Sequence, residues 1–201
     1  MFALVESGNI TKMMRGNKGI TIGDNQYPAA IFTVWTESER NAIGIYTIEI
    51  DETNLKSKEW YNNTNITYAF SGGKVTGSYG TATAKPHADI LYTEQNKTDN
   101  DIPTGKDVGD VKQEGLKTIL IREVKAQAQG ILNQTDWYVV RKADTDEAIP
   151  SNIATHRAAV RTKQAAMETA ITNAADTAAL ETLHTRDSNG DRPLGDLPTL
   201  E

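Results

Sequence analysis

The residues of this chain that could make specific polar contacts are concentrated between positions 132 and 161. An apolar run with helical spacing ends at Thr135-Asp136-Trp137, and about a dozen polar residues follow, closed by Ile149-Pro150. A second helical pattern then carries Arg157 and Arg161. Positions four apart lie on one face of a helix, so the two guanidinium groups are placed to bind carboxylates. This chemistry is ion pairing and aromatic packing, which is typical of binding and not of catalysis.

The tryptophan is predicted to fold back between the two helices and to bury about 150–250 Å². Thr135 or Asp136 is expected to satisfy free backbone groups where the first helix ends, and the two arginines are expected to pair with Asp136, Asp144 or Asp146. With a buried ring, Trp137→Ala should cost about 3–5 kcal/mol. The alternative interpretation is an ordinary core tryptophan with surface arginines.

No pattern typical of an enzyme or a metal site occurs in the sequence. The three histidines are far apart, cysteine is absent, and the HExxH, GxSxG, GxGxxG and P-loop motifs are missing. The segment Asp187–Asp191 has a faint similarity to a calcium loop, but proline occupies position 198, where that motif needs glutamate. We therefore predict no catalytic residue, no cofactor and no metal.

Composition restricts the class of partner. The chain has 201 residues, a net charge of −6 and no block of Lys or Arg, which argues against binding to nucleic acid or to an anionic membrane. No apolar run approaches the roughly 20 residues that span a bilayer, and the N-terminus lacks the pattern of a secretory signal. We expect a soluble, cytoplasmic protein whose small cores leave surfaces for a partner.

The fold class predicted from these patterns is α+β. Residues 1–92 are expected to form a small β-rich domain with one short helix, which begins at a capping box formed by Thr36 and Glu39. The clearest β-hairpin joins residues 64–70 to residues 74–79 through Ser71-Gly72-Gly73.

The second half changes to helical periodicity. Polar residues 93–112 are predicted to be a linker, residues 113–184 an antiparallel helical hairpin, and residues 185–201 a loose tail. The apolar positions of the first helix fall three and four apart from Leu116 onward. The second helix is expected to be capped by Ser151 or Asn152. It carries a thin apolar stripe spaced by seven residues: Ile153, Val160 and Met167. Such a stripe permits a homo-oligomer without requiring one.

The segment Leu132-x-x-Thr135-Asp136-Trp137, followed by Asp144, Ile149-Pro150 and Arg157-x-x-Val160-Arg161, resembles the phage tail assembly chaperones, also called tail-fibre assembly proteins. Five positions match the shared pattern of that family: Thr135, Asp136, Trp137, Arg157 and Arg161. His156 and Val160 stand where the family usually has tyrosine and leucine. The resemblance covers roughly 30–40 of the 201 residues. More weakly, residues 22–28 and 35–40 resemble the openings of tail-associated proteins from marine phages.

The resemblance implies a non-enzymatic bacteriophage tail protein that binds a tail or tail-fibre protein. It would act as an assembly chaperone in the host cytoplasm, or as a structural component retained in the mature virion tail. The helical hairpin would be the docking element, with Trp137 and the stripe Ile153, Val160 and Met167 at its energetic centre, and with the two arginines setting the register. Two other hypotheses remain: a cellular protein-binding module unrelated to phage, and an enzyme.

Overall fold

The computed structural model describes residues 1–200 of the chain. It divides into two compact units, Met1–Thr83 and Ala84–Glu201. Strands build the sheet of the first unit and long helices occupy the second, so the predicted α+β class, with strands first and helices in the C-terminal half, is confirmed. The division between the units falls before the expected end of the first domain at residue 92.

The first unit is built from short strands and two short helices. In chain order its elements are β1 Phe2–Glu6, β2 Asn9–Met14, β3 Ile20–Ile22, β4 Asn25–Tyr27, α1 Ile31–Val34, α2 Glu37–Ala42, β5 Ile45–Asp51, β6 Tyr61–Asn62, β7 Ile66–Ser71 and β8 Lys74–Tyr79. Strand β9, Thr83–Ala84, lies at the boundary of the two units.

Five of these strands form one mixed sheet in the order β2-β1-β5-β8-β7. Strands β1 and β2 pair antiparallel, as do β1 and β5 and as do β7 and β8, whereas β5 and β8 are parallel. The β7–β8 pair turns through Gly72 and Gly73, both at positive φ. The predicted β-hairpin is therefore confirmed.

Alternating side chains of the sheet contribute to two separate cores. Leu4 and Ile45 pack with Ile31 and Phe32 of α1 in one buried cluster. The neighbouring positions contribute to the other cluster, in which Ala3, Ile48 and Val75 are buried. This period of two follows from the strand backbone, which points successive side chains to opposite faces.

The predicted capping box is confirmed at the start of α2. The Glu39 Oε2 atom accepts a hydrogen bond from the Thr36 amide at 2.7 Å, and Thr36 Oγ1 accepts one from the Glu39 amide at 3.3 Å. The bond from the Thr36 amide is the main cause that lowers the pKa of the Glu39 carboxyl, and the bond from the Thr36 hydroxyl at 2.8 Å is the second. The helix ends before Gly44, whose φ of 81° favours glycine.

The second unit contains most of the helical residues. Its elements are β10 Ile90–Leu91, α3 Glu94–Thr98, β11 Val111–Gln113, α4 Leu116–Asn133, α5 Asp136–Thr145, α6 Ser151–Asn173 and α7 Thr177–His184. Within residues 1–200, none of the helices combines the length and the apolar character needed to cross a membrane. Helix α6 begins after Pro150, which makes no side-chain cap, so the expectation that Ser151 or Asn152 caps it is wrong.

The segment 93–112, expected to be a linker, contains secondary structure. Thr93 and Asn96 form a reciprocal cap at the start of α3, and β11 pairs antiparallel with β10. Local side-chain hydrogen bonds therefore order a stretch whose low apolar content had suggested a flexible connection. A Thr-x-x-Asn cap is a weaker sequence signal than the Glu or Gln version, because asparagine also favours turns.

The segment 185–200 also differs from the loose tail that was predicted. Leu194 is buried, and its amide donates to the Leu183 carbonyl at 3.0 Å. Arg186 binds both carboxylate oxygens of Asp196, at 3.0 and 2.8 Å. At Asp187, the Oδ1 atom accepts from the amides of Asn189 and Asp191, so this segment forms a hydrogen-bonded turn.

The first turn of α4 is closed by a carboxylate from outside the helix. Asp89 Oδ1 accepts from the Gly115 amide and from the Thr118 hydroxyl, both at 2.7 Å. The Gly115 bond is the larger cause of the lowered pKa of Asp89, and the Thr118 bond is the second. The Asp89 carboxylate thus acts as a cap, which also suits the positive end of the helix dipole.

We predict that this carboxylate makes the second unit acid-sensitive. Because the folded-state pKa of Asp89 is depressed, its stabilisation is fully present above the unfolded pKa of about 3.9 and is lost as the pH falls through the folded value. Urea unfolding of wild type and Asp89→Asn, followed by far-UV circular dichroism, checks this. The difference between them should be largest at neutral pH and shrink below about pH 4; a constant difference would contradict it.

Candidate functional site

The structure joins three of the residues that the sequence singled out into one cluster, which we call the Arg157 clamp. The Arg157 Nη1 atom donates to the Leu132 carbonyl and to Thr135 Oγ1, each at 2.7 Å. The Nη2 atom donates to Asp136 Oδ1, also at 2.7 Å. The predicted pairing of Arg157 with Asp136 is therefore confirmed, and Thr135 and Asp136 do lie where the first helix ends.

The clamp donates hydrogen bonds to a backbone carbonyl group at the end of α4. The last carbonyls of α4 have no partner within the helix. Leu132 O accepts bonds from the Thr135 amide at 3.0 Å and from Thr135 Oγ1 at 3.1 Å, in addition to the one from Arg157. A guanidinium can do this because its donors lie in a fixed planar fork that reaches several acceptors at once.

Burial differs between the two charged partners of the clamp. The side chain of Arg157 is 7% exposed, whereas that of Asp136 is 45% exposed. Thr135 is also buried. The arginine is thus held inside the protein while its carboxylate partner remains in contact with solvent, which limits the desolvation cost of the pair.

The polar crossing expected after Trp137 is instead helix α5, Asp136–Thr145, which sequence analysis missed. Asp136 lies in its first turn, where a negative charge is favourable, and Lys142 forms an i,i+4 ion pair with Asp146 at 3.3 Å. The helix ends at Asp146, whose φ is 57°. The acidic start and this charge pair are the signals that could have indicated a helix.

The indole of Trp137 does not lie between the helices. The residue is 52% exposed, so the prediction that it folds into a groove between α4 and α6 is wrong. The ring instead stacks on its neighbour Tyr138, with ring centroids 3.8 Å apart. Arg141 covers both rings, with its guanidinium carbon 4.9 Å from the Trp137 centroid and 5.3 Å from that of Tyr138.

Helix α5 therefore presents an apolar surface to solvent. Val140, which is 66% exposed, lies one turn after the half-exposed Trp137 on the same side of the helix, and Val139 is 40% exposed. We call Trp137, Tyr138, Val139, Val140 and Arg141 the α5 surface. Scattered exposed apolar residues are ordinary, but an exposed tryptophan with two valines on one short helix is typical of a contact surface.

The exposure of Trp137 changes the expected effect of removing it. We predict that Trp137→Ala lowers the free energy of unfolding by no more than about 1 kcal/mol, because only the contacts with Tyr138 and Arg141 are lost. The cost of about 3–5 kcal/mol expected for a buried ring does not apply. Urea denaturation checks this, and a loss above about 2 kcal/mol would show that the ring is part of the core.

The apolar stripe of α6 is buried in the second unit and is not an open docking face. Ile153 is 5% exposed, Val160 0% and Met167 1%. Together with Leu120 and Val124 of α4 they belong to the buried apolar residues of this unit. The expectation that this stripe binds a partner directly is corrected: its seven-residue spacing serves packing within the chain.

Arg161 does not join the clamp. It is exposed, and within residues 1–200 no carboxylate forms an ion pair with it. It lines an open groove of about 650 Å³ along α6, with Leu132 and Ala165 as apolar members and Glu168 as the acidic one. The pairing expected from the sequence therefore holds for one arginine of the two.

The described part of the chain holds no cluster of three or more His, Cys, Asp or Glu residues that could bind a metal ion. Comparison with known proteins found no matching family model, no significant match to a curated protein and none to a solved structure. The interpretation of the site accordingly depends on its own geometry.

Proposed function

We propose that the chain is a non-enzymatic bacteriophage tail protein that binds a tail or tail-fibre protein through the α5 surface. It acts as an assembly chaperone in the host cytoplasm or as a structural component that stays in the virion tail. The observation that carries the proposal is the solvent-exposed Trp137 on a helix whose first residue is anchored by a buried arginine.

An exposed tryptophan is well suited to recognise another polypeptide. Its ring supplies a large apolar area with few rotatable bonds, and tryptophan is among the residues that dominate binding energy at protein interfaces. Val140, at 66% exposure, extends the apolar area along the same short helix. Burial of both side chains against a partner provides affinity without requiring a cleft or a reactive group.

The α5 surface is held in place before a partner arrives. Arg157 fixes the start of the helix through Asp136, and Arg141 holds the stacked rings while its Nη1 atom pairs with Glu147 at 3.0 Å. Side chains that are already ordered lose less conformational entropy on binding, which favours affinity. The clamp and the ion pair thus support the role of the indole as an anchor.

The proposal includes an antiparallel hairpin made by α4 and α6, with α5 as its connection. Its support is the hydrogen bonds at opposite ends of the two helices: Arg157 to Leu132 O, and Lys117 Nζ to Thr172 O at 2.8 Å. Arg161 stands outside the clamp and remains available to a carboxylate of the partner. In this arrangement Arg157 has an internal role and Arg161 an external one.

The test is co-purification of the tagged chain with tail-fibre protein from phage-infected cells. Val140→Glu places a charge in the α5 surface and should reduce the recovered fibre protein by about tenfold or more. Val34→Glu is the matched control, because Val34 is 76% exposed in α1 of the first unit. It should leave recovery unchanged.

Mass spectrometry of purified particles separates the two versions of the role. Presence of the chain in particles supports a retained structural component, and absence together with co-purification supports a chaperone. Equal recovery of tail-fibre protein by wild type and Val140→Glu would contradict the α5 surface as the binding site. Capture of no tail or tail-fibre protein by the wild-type chain would contradict the phage role.

A further inference from the structure

A second candidate site lies in the first unit, at the open end of the β7–β8 hairpin. An open cavity of about 450 Å³ is lined there by two tyrosines and two asparagines: Asn63, Asn65, Tyr68 and Tyr79. Lys58 is among the other lining residues. Aromatic rings and neutral amides together can bind a ligand that has both an apolar face and hydrogen-bonding groups.

The strand register places the two rings together. Tyr68 pairs with Gly77 across the hairpin and Ile66 pairs with Tyr79, so Tyr68 and Tyr79 are diagonal neighbours on one face. The Tyr68 ring lies over Gly77: a Cβ atom there would come within 2.8 Å of its Cε1 atom. The residue nevertheless remains 37% exposed. The hairpin therefore supports the Tyr68 ring from below and leaves this aromatic platform accessible to solvent.

Several polar side chains at the cavity are not used internally, although the Thr64 hydroxyl accepts a hydrogen bond from the Gly80 amide at 2.7 Å. Within residues 1–200, the side chains of Asn65, Tyr68 and Tyr79 form no hydrogen bond with the protein. Asn63 differs, because its amide is fixed by the backbone of Lys56 at 2.9 and 2.8 Å. Three uncommitted neutral groups thus face a cavity whose edge is held by a fourth.

We propose that this cavity binds a saccharide, and we name the residues at its centre Tyr68, Tyr79 and Asn65. A sugar ring has an apolar C–H face, which packs on an aromatic ring, and hydroxyl groups, which both donate and accept hydrogen bonds as amides and phenols do. The volume suits a unit of one or two sugars. A nucleic acid is disfavoured because Lys58 is the one cation in the lining.

The inference does not depend on the proposed function, since it concerns another unit and other residues. The test is a titration of the full chain with three probes, lactose, maltose and N,N′-diacetylchitobiose, each to about 10 mM, followed by two-dimensional NMR of backbone amides. At least one probe should shift the amides of residues 58–79 in a saturable manner.

Variants make the assignment specific. Tyr68→Ala and Asn65→Ala should each weaken the affinity for that probe by about fivefold to tenfold. Asn62→Ala is the matched control, because Asn62 is an exposed asparagine of β6 outside the cavity; its affinity should equal that of wild type. Tyr79→Phe, which keeps the ring and removes the hydroxyl, tests the hydrogen bond alone and should weaken affinity less than Tyr68→Ala.

Three outcomes would overturn the proposal. One is the absence of saturable shifts in residues 58–79 with all three sugars. Another is a set of shifts that persists unchanged in both Tyr68→Ala and Asn65→Ala. The third is saturable binding of an unstructured peptide at this cavity in place of any sugar, which would assign the platform to protein recognition.

Discussion

Replacing Arg157 with methionine is expected to destabilise the second unit by about 3 kcal/mol. The change keeps an unbranched side chain of similar length but removes every donor of the clamp. The Leu132 carbonyl would then keep the bonds from the Thr135 amide and from Thr135 Oγ1, and Asp136 would lose its buried partner. Because Asp136 is 45% exposed, water can replace part of the lost contact, so the cost lies at the lower end for a broken buried pair. Urea unfolding followed by circular dichroism at 222 nm measures it, since the long helices belong to this unit.

Arg161→Met is the matched control for that variant. It removes the same charge from the same helix one turn later, at an exposed position, and should change the free energy of unfolding by less than about 0.5 kcal/mol. Arg157→Lys should fall between the two, because an ammonium group keeps the charge but cannot reproduce a planar fork. Equal stability of Arg157→Met and Arg161→Met would show that the clamp contributes nothing to folding.

The two long helices could be predicted closely from the sequence. Apolar positions spaced by three and four residues indicated the first helix from Leu116, and a stripe spaced by seven residues indicated the second from Ser151; the structure has Leu116–Asn133 and Ser151–Asn173. Long periodic segments carry this information because one stripe must be buried along the whole length of the helix. The ion pair between Arg157 and Asp136 could also be predicted, because helical spacing places Arg157 and Arg161 on one face where they can bind carboxylates.

The conformation between those helices could not be derived in this way. Helix α5 has ten residues, none of them buried, so no apolar period marks it. The position of Trp137 was misjudged for the same reason: large aromatic side chains are usually buried, but the environment of this one is set by its stack with Tyr138 and by Arg141. A surface proposed to bind a partner departs from the burial pattern of a core, and it is where a pattern-based prediction is expected to fail.

In the first unit, local signals were sufficient for turns and caps but not for the order of strands. The Ser71-Gly72-Gly73 turn fixed the β7–β8 pairing, since adjacent strands joined by a tight turn must pair antiparallel. The parallel pairing of β5 with β8 joins strands that are distant in the chain, with register Ile48 to Val75. No local motif encodes such a contact; it follows from which faces the whole sheet can bury.

Replacing Gly115 with alanine is expected to have the largest effect of any single methyl group in the chain, about 3 kcal/mol or more. The backbone at this position, φ −84° and ψ 167°, is compatible with alanine, so the penalty comes from space alone. A Cβ atom would lie 2.2 Å from the carbonyl carbon of Ala88 and 2.7 Å from the amide nitrogen of Asp89. Backbone atoms cannot rotate away as a side chain can. Relief therefore requires the segment before β10 to separate from the start of α4.

That separation would remove several hydrogen bonds at once. Asp89 would lose the Gly115 amide, and the amides of Leu116 and Lys117, which donate to the carbonyls of residues 86 and 87 at 2.9 and 3.0 Å, would lose their acceptors. Amides in the first turn of a helix have no carbonyl acceptor within that helix, so no backbone group of α4 can take the place of the lost acceptors. Loss of the cap should also abolish the acid sensitivity contributed by Asp89.

Gly130→Ala is the matched control, because it adds the same methyl group to the same helix. Nothing lies within 4 Å of a Cβ atom at that position, and the residue is exposed. Alanine there should stabilise the helix by about 0.5–1 kcal/mol, since glycine loses more conformational entropy on folding. Opposite signs for the two variants, measured by urea unfolding, would establish that close contact between 88–89 and 115 holds the start of α4. A Gly115→Ala protein as stable as wild type would mean that this contact does not exist in solution.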